Sequence, residues 1–135
     1  MSEFNRRLIE EFRASGGKVG GAYEGTPLLL LTTTGAKSGR QHTTPLIYLD
    51  DGGRFVVFGT KGGAPTNPDW YYNLLARPEA TVEVETETYS VRATVATGEE
   101  RERLAGLQGV LRPQFAEYEA KTTRQIPVVV LARAD

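Results

Sequence analysis

The segment from 32 to 42 combines cationic side chains, hydroxyl groups and glycines in a short stretch of chain. Lys37 and Arg40 flank Ser38, and two glycines let the backbone approach a ligand closely. Cations supply charge to a phosphate or carboxylate, and the amides of a turn can form a nest for an anion. The residue order differs from that of a P-loop, because a strand pattern follows instead of a helix. The segment predicts a site for an anionic group, although a solvated hairpin turn has a similar composition.

A second candidate is the Gly/Pro-rich loop from 59 to 68, which leads into a predicted helix. The start of a helix offers free amides and a favourable dipole end to an anionic or polar ligand. Trp70, the single tryptophan of the chain, lies there beside Tyr71 and Tyr72. Flat apolar faces of this kind can wall a ring system. A lone tryptophan more often anchors a helix in the core than it contacts a ligand, and the two roles are compatible.

A third candidate group is Phe115, Tyr118 and Arg124. Phe115 and Tyr118 are three residues apart, so they share a helix face that either covers the core or faces a ligand. His42, the single histidine, has no clear orienting partner in the sequence, which favours an anion contact over a catalytic base. The three candidates describe a site for a large, flat, anionic ligand with few titratable groups. Such a site suits redox chemistry carried by a bound cofactor.

Composition limits the classes of protein. The chain has 135 residues, a formal net charge of −1 and no cysteine. This length predicts a single domain with its own core, and the absence of cysteine excludes disulfide scaffolds, iron–sulfur clusters and thiolate nucleophiles. A near-neutral balance argues against nucleic-acid binding. The apolar runs are too short to span a membrane and no signal peptide is visible, so we expect a cytoplasmic protein.

Strand patterns dominate the chain after the first quarter. Six runs are predicted as strands: 28–34, 43–49, 54–59, 81–85, 89–95 and 126–131. The links between them are short, which favours antiparallel pairing. A sheet of this size with both faces occupied tends to curl and close. The sequence therefore predicts a small α+β barrel of about six mostly antiparallel strands with two to four helices.

Four segments have helical patterns. They are 2–15, 69–76, a segment that opens at Thr97 and ends before Pro113, and 115–120. Thr97 followed three residues on by Glu100 predicts a capping box at the start of the third helix. That helix repeats leucine on one face, which predicts that Leu104, Leu107 and Leu111 face the core.

The first 25 residues form a separate unit in this interpretation. Phe4, Leu8 and Phe12 recur every four residues of an amphipathic helix, and a glycine-rich connector follows it up to Gly25. The helix either packs on the domain, which the mixed charge favours, or touches a membrane surface. The predicted organisation is this helix and connector at 1–25, followed by the barrel domain at 26–135.

Spaced motifs over about residues 26–131 resemble the deazaflavin-dependent nitroreductase family, the F420-dependent reductases of actinobacteria. The motifs are Leu31-Thr-Thr-Thr-Gly-Ala-Lys-Ser-Gly-Arg40, Thr44-Pro-Leu46, Lys61-Gly-Gly-Ala-Pro-Thr-Asn-Pro-Asp-Trp-Tyr-Tyr-Asn-Leu74 and Arg124-Gln-Ile-Pro127. The resemblance implies a split β-barrel, related to FMN-binding barrels, that binds reduced coenzyme F420. Members of the family reduce quinones, and some activate bicyclic nitroimidazole prodrugs by the same hydride transfer.

The resemblance also assigns cofactor contacts by position. The turn of Ala36, Lys37 and Ser38 would hold the phosphate and the start of the glutamate tail, with added charge from Arg40. The residues that would continue along the tail and the ring are His42, Thr43, Thr44, Pro45, Leu46 and Ile47. Those that would present backbone and hydroxyl donors to the deazaflavin are Phe58, Gly59, Thr60 and Lys61. Those that would flank the ring and the ribityl chain are Asp69, Trp70, Tyr71, Tyr72 and Asn73.

On the substrate side, the resemblance implies that Phe115 and Tyr118 face the electron acceptor. Thr60 or Tyr118 would hydrogen-bond the acceptor oxygen, and these two residues are the predicted catalytic pair. Position 36 is usually basic and position 42 usually arginine in the family, whereas this chain has Ala36 and His42. The acceptor that the resemblance implies is a quinone, with nitroimidazoles as a further possibility.

Two alternatives remain open at this point. The same barrel can use FMN or another flavin in place of F420, or it can serve as a carrier or sensor of F420 without catalysis. Neither the oligomeric state nor a peripheral membrane contact through the first helix follows from the sequence.

Overall fold

The computed structural model describes residues 2–134. Within this part of the chain the helices are α1 (Glu3–Ala14), α2 (Asp69–Ala76), α3 (Gly98–Leu111) and α4 (Gln114–Lys121). The strands are β1 (Leu28–Thr34), β2 (Gln41–Ile47), β3 (Leu49–Asp51), β4 (Arg54–Phe58), β5 (Glu79–Val84), β6 (Glu87–Val95) and β7 (Val128–Arg133). The predicted positions of all four helices are confirmed to within a few residues.

The seven strands form one antiparallel sheet in the order β2-β1-β5-β6-β7-β4-β3. The two outermost strands, β2 and β3, are joined by Tyr48 alone. Because one residue cannot cross an open sheet of this width, the sheet must curl until its edges approach each other at that point. The Tyr48 ring packs edge-on against Phe55 of β4, with 5.5 Å between the ring centroids. The curled sheet confirms the predicted α+β class.

The inner face of the curled sheet holds the main core. Strand residues and two side chains of α2 fill it: Leu29, Leu31, Phe55, Val57, Trp70, Leu74, Val82, Val91, Val129 and Leu131. Trp70 and Leu74 are four residues apart, so both project from the same face of α2 into this interior. Helix α2 therefore closes one end of the curled sheet, and its first turn is fixed by a buried aromatic side chain.

The outer faces of the sheet carry the other helices. Helices α3 and α4 pack over β4 and β7 through Leu104 and Phe115, which share a cluster with Phe58. Helix α1 packs over β1 and β2, where Leu8, Ile9 and Phe12 meet Leu28 and Leu30. The prediction that α1 packs on the domain is confirmed for these side chains. Phe4 is 60% exposed and touches Tyr23. The division of the chain at residue 25 stays a prediction.

Several local predictions are wrong. The apolar run 43–49 is two strands, because after Ile47 the chain passes at Tyr48 from one edge of the sheet to the other. The Thr97 side chain makes no capping hydrogen bond, and Gly98 after it has φ of +59°. Leu104 is buried as predicted, but Leu107 and Leu111 are exposed, because only the face of α3 that carries Leu104 meets the sheet.

Helix lengths bear on the membrane question. None of the helices in residues 2–134 is both long enough and apolar enough to cross a bilayer.

Candidate functional site

A cavity of about 710 Å³ lies where the β1–β2 hairpin meets the start of α2. Side chains from both predicted motifs line it. The lining residues are Asn5, Thr33, Gly35, Ala36, Lys37, Ser38, His42, Thr43, Thr44, Asp69, Trp70, Tyr72 and Asn73. The fold therefore brings together the cationic turn and the aromatic helix start, which are far apart in the sequence.

The turn at 35–40 is built from the hairpin itself. Strands β1 and β2 pair up to Thr34 and Gln41, and the Gly35 N–H then donates to the Arg40 carbonyl at 2.7 Å. A Cβ atom on Gly35 would lie 2.5 Å from the Ser38 hydroxyl oxygen, so a larger residue here would force the Ser38 side chain to move. Gly39 has φ of +71°, a conformation that glycine adopts at little cost. The hairpin thus exposes residues 36–38 at its tip.

Hydrogen bonds from the side chains of Asn73 in α2 and Arg77 just after it support the turn. The Ala36 N–H donates to the Asn73 side-chain oxygen at 3.0 Å, and the Asn73 amide nitrogen donates to the Thr33 hydroxyl at 3.1 Å. Arg77, one turn further along, donates to the Gly35 carbonyl at 3.3 Å. Asn73 is only 8% exposed and uses both ends of its amide inside the protein. Its role in the structure is to position the turn.

Charged side chains of both signs line the cavity, with Lys37 on the hairpin side and Asp69 at the start of α2. Lys37 and His42 line the cavity and are exposed, and Arg40 is exposed on the same turn outside the lining. Among residues 2–134, neither Lys37 nor Arg40 takes part in an ion pair. Hydroxyl groups of Ser38 and Thr44 face the same space. Uncompensated cations beside hydroxyl donors suit a phosphate or carboxylate ligand.

Trp70 both packs in the core and forms part of the cavity wall. It is 6% exposed and belongs to the core, yet part of it lines the cavity. Tyr72 lines the cavity and is largely exposed, whereas Tyr71 is half-buried against the core. The cavity therefore has an aromatic wall at its α2 side and cationic groups at its hairpin side.

The loop that precedes α2 lies outside this lining. Gly59 is packed closely, since a Cβ there would approach Pro127 at 2.7 Å, and its N–H donates to the Pro127 carbonyl. Thr60 and Lys61 follow, and the Lys61 ammonium donates to the Thr66 hydroxyl at 3.1 Å. The predicted site residues that do not line the cavity are Arg40, Pro45, Leu46, Ile47, Phe58, Gly59, Thr60, Lys61, Tyr71, Phe115 and Tyr118. Their assigned contacts stay predictions.

Phe115 differs most from its expected position. Its side chain is 2% exposed and packs edge-on against Phe58, with 5.2 Å between the ring centroids. The reason is that α4 lies flat on the outer face of β4 and β7 and buries its one large apolar side chain there. Tyr118 is half-buried on the same helix, with the Lys121 ammonium 5.7 Å from its ring centroid. In this structure Phe115 is part of the core, and its assigned contact with an acceptor stays a prediction.

Asn5 lines the cavity without having been predicted, and Thr33 and Gly35, which belong to the predicted 32–42 segment but were not assigned contacts one by one, line it as well. Thr33 and Gly35 lie inside the first motif, so the hairpin geometry accounts for them once β1 and β2 are paired. Asn5 comes from α1, and only the packing of α1 over β2 brings it there. No local pattern in the sequence carries that information.

A second cavity, of about 640 Å³, lies at the start of α3. It contains none of the predicted residues, and Glu99 and Glu102 contribute to its lining. The lining also includes Arg101, which pairs with Glu102, so the acidic side chains outnumber the cationic one and disfavour an anionic ligand.

The fold is also found in a solved protein that is described as FAD-binding. An FAD-binding protein of Mesorhizobium loti aligns over all of this chain and 90% of its own, with a TM-score of 0.58 and 14% identity. At that identity the likeness concerns the fold alone, which is the FMN-binding type of split β-barrel. The curled antiparallel sheet and its four helices in residues 2–134 thus define the class.

Closer relatives define the family. The family described as F420H(2)-dependent quinone reductase matches residues 4–133. An F420H(2)-dependent quinone reductase of Mycobacterium tuberculosis is 35% identical over 127 residues, which cover 90% of this chain and 85% of the relative. The solved structure of an F420-H2 dependent reductase is 39% identical, covers 78% of this chain and 93% of its own, and has a TM-score of 0.72. The chain belongs to the F420H(2)-dependent quinone reductase family, a family of oxidoreductases.

Proposed function

We propose that this protein oxidises reduced coenzyme F420 and passes the hydride to a quinone-type acceptor. The overall reaction converts F420H2 and a quinone to F420 and a quinol. The observation that carries the proposal is the family match over residues 4–133, together with the cavity between the cationic turn and α2. Reduced F420 supplies the hydride when bound, and the residues of the chain supply binding and orientation.

The cavity fits an elongated, anionic cofactor. Its volume of about 710 Å³ falls in the usual range for cofactor sites. Lys37 would balance the charge of the phosphate and glutamate groups, and His42 and Ser38 would donate to them. Lys37 forms no ion pair within residues 2–134, so its ammonium group is available to an anionic ligand, which supports this role. The ring end would lie against Trp70, whose flat face supports stacking or edge contact.

The acceptor side is assigned to Thr60 and Tyr118. Thr60 ends the tightly packed segment after β4, and Tyr118 lies on α4, which touches the same loop at Gly63. Either hydroxyl would donate to the quinone oxygen that gains the proton. Rate would come mainly from alignment of donor and acceptor and from exclusion of water.

The direct test is the loss of F420H2 absorbance against a panel of acceptors. We expect turnover with menadione or another quinone, and no turnover when FMNH2 replaces F420H2. Activity with FMNH2 and none with F420H2 would favour a flavin enzyme. F420 binding without oxidation by any acceptor would indicate a carrier or sensor.

The same assay tests the role of Lys37. A charge-assisted hydrogen bond contributes about 1.5–3 kcal/mol, so Lys37→Ala should raise the KM for F420H2 by about tenfold or more. The kcat should change little, because the lost contact is made equally before and during reaction. Lys18→Ala removes an exposed charge outside the cavity and is the matched control. An unchanged KM in Lys37→Ala would contradict the assignment.

A lipid-borne quinone would make membrane contact useful, but little in the helix supports it. Leu8, Ile9 and Phe12 of α1 are buried in the protein, and Phe4 is the remaining large apolar side chain of this helix that is exposed. We therefore propose water-soluble quinones as the acceptors for the first assays.

A further inference from the structure

Arg124 makes contacts that no role assigned so far explains. Its guanidinium is half-buried and donates to the Thr60 carbonyl at 2.9 Å, the Ala64 carbonyl at 2.9 Å and the Asn67 side-chain oxygen at 2.8 Å. One side chain thus holds three points along a single loop. All three acceptors are uncharged, and Arg124 forms no ion pair within residues 2–134.

The loop in question, 60–67, has a backbone that needs such support. Lys61 has φ of +47°, which is uncommon for a residue with a side chain. The Gly63 N–H donates to the Thr60 carbonyl and the Ala64 N–H to the Lys61 carbonyl, at 2.9 and 3.1 Å. Unfavourable backbone conformations persist only where the surroundings determine them, and they concentrate at ligand sites.

The Thr60 carbonyl accepts from both Arg124 and the Gly63 N–H, and these two contacts set the direction of one peptide group. In a planar trans peptide the C=O and the following N–H point in opposite directions. Because the Thr60 carbonyl points at Arg124, the Lys61 N–H points away from it. Within residues 2–134 the Lys61 N–H has no hydrogen-bond acceptor. Arg124 and the Gly63 N–H together hold this peptide with its backbone donor unpaired on the other side of the loop, and hydrogen bonds to the carbonyl polarise that donor.

The same region joins the loop to α4. A Cβ on Gly63 would lie 3.0 Å from the Lys121 Cβ and 3.4 Å from the Tyr118 carbonyl oxygen. Arg124 follows α4 directly and reaches back to the loop. The segments that carry Thr60 and Tyr118 are thus packed together and tied by one guanidinium.

We infer that Arg124 is a positioning residue for hydride transfer, which fixes loop 60–67 so that the Lys61 N–H and the Thr60 side chain meet the cofactor and acceptor in a set geometry. This inference rests on the function proposed above, in which the Thr60 hydroxyl donates to the acceptor. The guanidinium itself touches neither reactant. Its planar fork suits three acceptors in different directions, which a lysine ammonium on a flexible chain matches poorly.

The first test needs no cofactor. Hydrogen exchange of the Gly63 and Ala64 amides should be about tenfold faster in Arg124→Gln than in the unsubstituted protein, because the loop opens more often. Arg124→Lys should be intermediate. Arg92→Gln loses the same charge from an exposed pair with Glu79 and should leave these amides unchanged. If the Gly63 and Ala64 amides exchange at an unchanged rate in Arg124→Gln, Arg124 does not hold loop 60–67 in place.

The second test separates positioning from a merely structural role. Well below the melting temperature of each variant, Arg124→Gln should lower kcat for F420H2 oxidation by about tenfold to a hundredfold, since small misplacements cost that much. Arg124→Lys should recover part of the loss, and Arg92→Gln should match the unsubstituted protein. A lower melting temperature with normal kcat and KM would overturn the positioning role.

The two tests also distinguish this inference from the proposed function. If the unsubstituted protein fails to oxidise F420H2 with any acceptor, the proposed function and the catalytic part of this inference are both overturned. Faster exchange of the Gly63 and Ala64 amides in Arg124→Gln would in that case still confirm that Arg124 holds loop 60–67 in place.

Discussion

Asn73 shows how one buried amide shapes the candidate site. Its oxygen accepts from the Ala36 N–H and its nitrogen donates to the Thr33 hydroxyl, so it links the helix to β1 and to the turn that follows β1. The resemblance places it against the cofactor, whereas the structure uses its polar atoms for internal contacts. A residue of this kind acts on a ligand through the turn that it holds.

Replacing Asn73 with alanine should therefore weaken both stability and binding. Two buried hydrogen bonds are lost and a buried donor or acceptor is left unpaired, which costs about 1–3 kcal/mol in the free energy of unfolding. Urea denaturation measures this cost. The affinity for F420 should fall as well, because residues 36–38 lose their support. Leu75→Ala changes an exposed position of the same helix and is the control. Normal stability and normal affinity in Asn73→Ala would contradict this description of the turn.

At the scale of elements, Asp51 joins β3, β4 and α3. Its carboxylate accepts from Arg103 of α3 at 3.0 Å and pairs with Arg54 of β4. Hydrogen bonds from Arg103 and Arg54 hold the pKa of the Asp51 carboxyl well below its usual range. The contacts fasten the outer helix to the edge of the sheet.

This depressed pKa predicts a pH dependence of stability. A folded-state pKa below the unfolded value stabilises the fold above the ordinary aspartate pKa of about 4, and the contribution is lost as the pH falls. Asp51→Asn should thus lower the melting temperature at neutral pH, and the difference should narrow in acid. Glu79→Gln removes an exposed pair with Arg92 and should have little effect. If Asp51→Asn and the unsubstituted protein have equal melting temperatures at neutral pH, the Asp51 ion pairs do not stabilise the fold as expected.

Helix α1 offers a matched pair of phenylalanines. Phe12 is 1% exposed and Phe4 is 60% exposed. Phe12→Ala should reduce the free energy of unfolding by about 3–5 kcal/mol through lost burial and a cavity, whereas Phe4→Ala should change it by about 0.5 kcal/mol or less. Chemical denaturation compares the two. Similar small effects would mean that α1 does not belong to the folded core.

Helices and most strands were predictable because their periodicity is local. The predictions fail where a contact between residues that are distant in sequence determines the local structure. The run 43–49 has one continuous apolar pattern, and only the pairing of Leu49 with Val56 makes its end a separate strand. In the same way α4 was predictable as a helix, but its packing against Phe58 decides that Phe115 is buried. Asn5 reaches the cavity through tertiary packing alone.

At the scale of the whole molecule, the closure of the sheet creates the site. The curl brought about at Tyr48 leaves an interior that α2 must fill, and Trp70 does so. Filling the interior sets the first turn of α2 against the β1–β2 hairpin, and the cavity lies between them. A cationic hairpin and an aromatic helix start are thus joined by the same packing that stabilises the fold.

The most direct test of this account is the binding of F420 followed through the fluorescence of Trp70, the single tryptophan. Because Trp70 lines the cavity, a cofactor seated there should quench its emission in a saturable manner. We expect quenching that reaches saturation and that needs higher F420 concentrations in Lys37→Ala, with Lys18→Ala unchanged. A folded protein whose Trp70 emission does not respond to F420, and which shows no F420 binding by calorimetry, would contradict it.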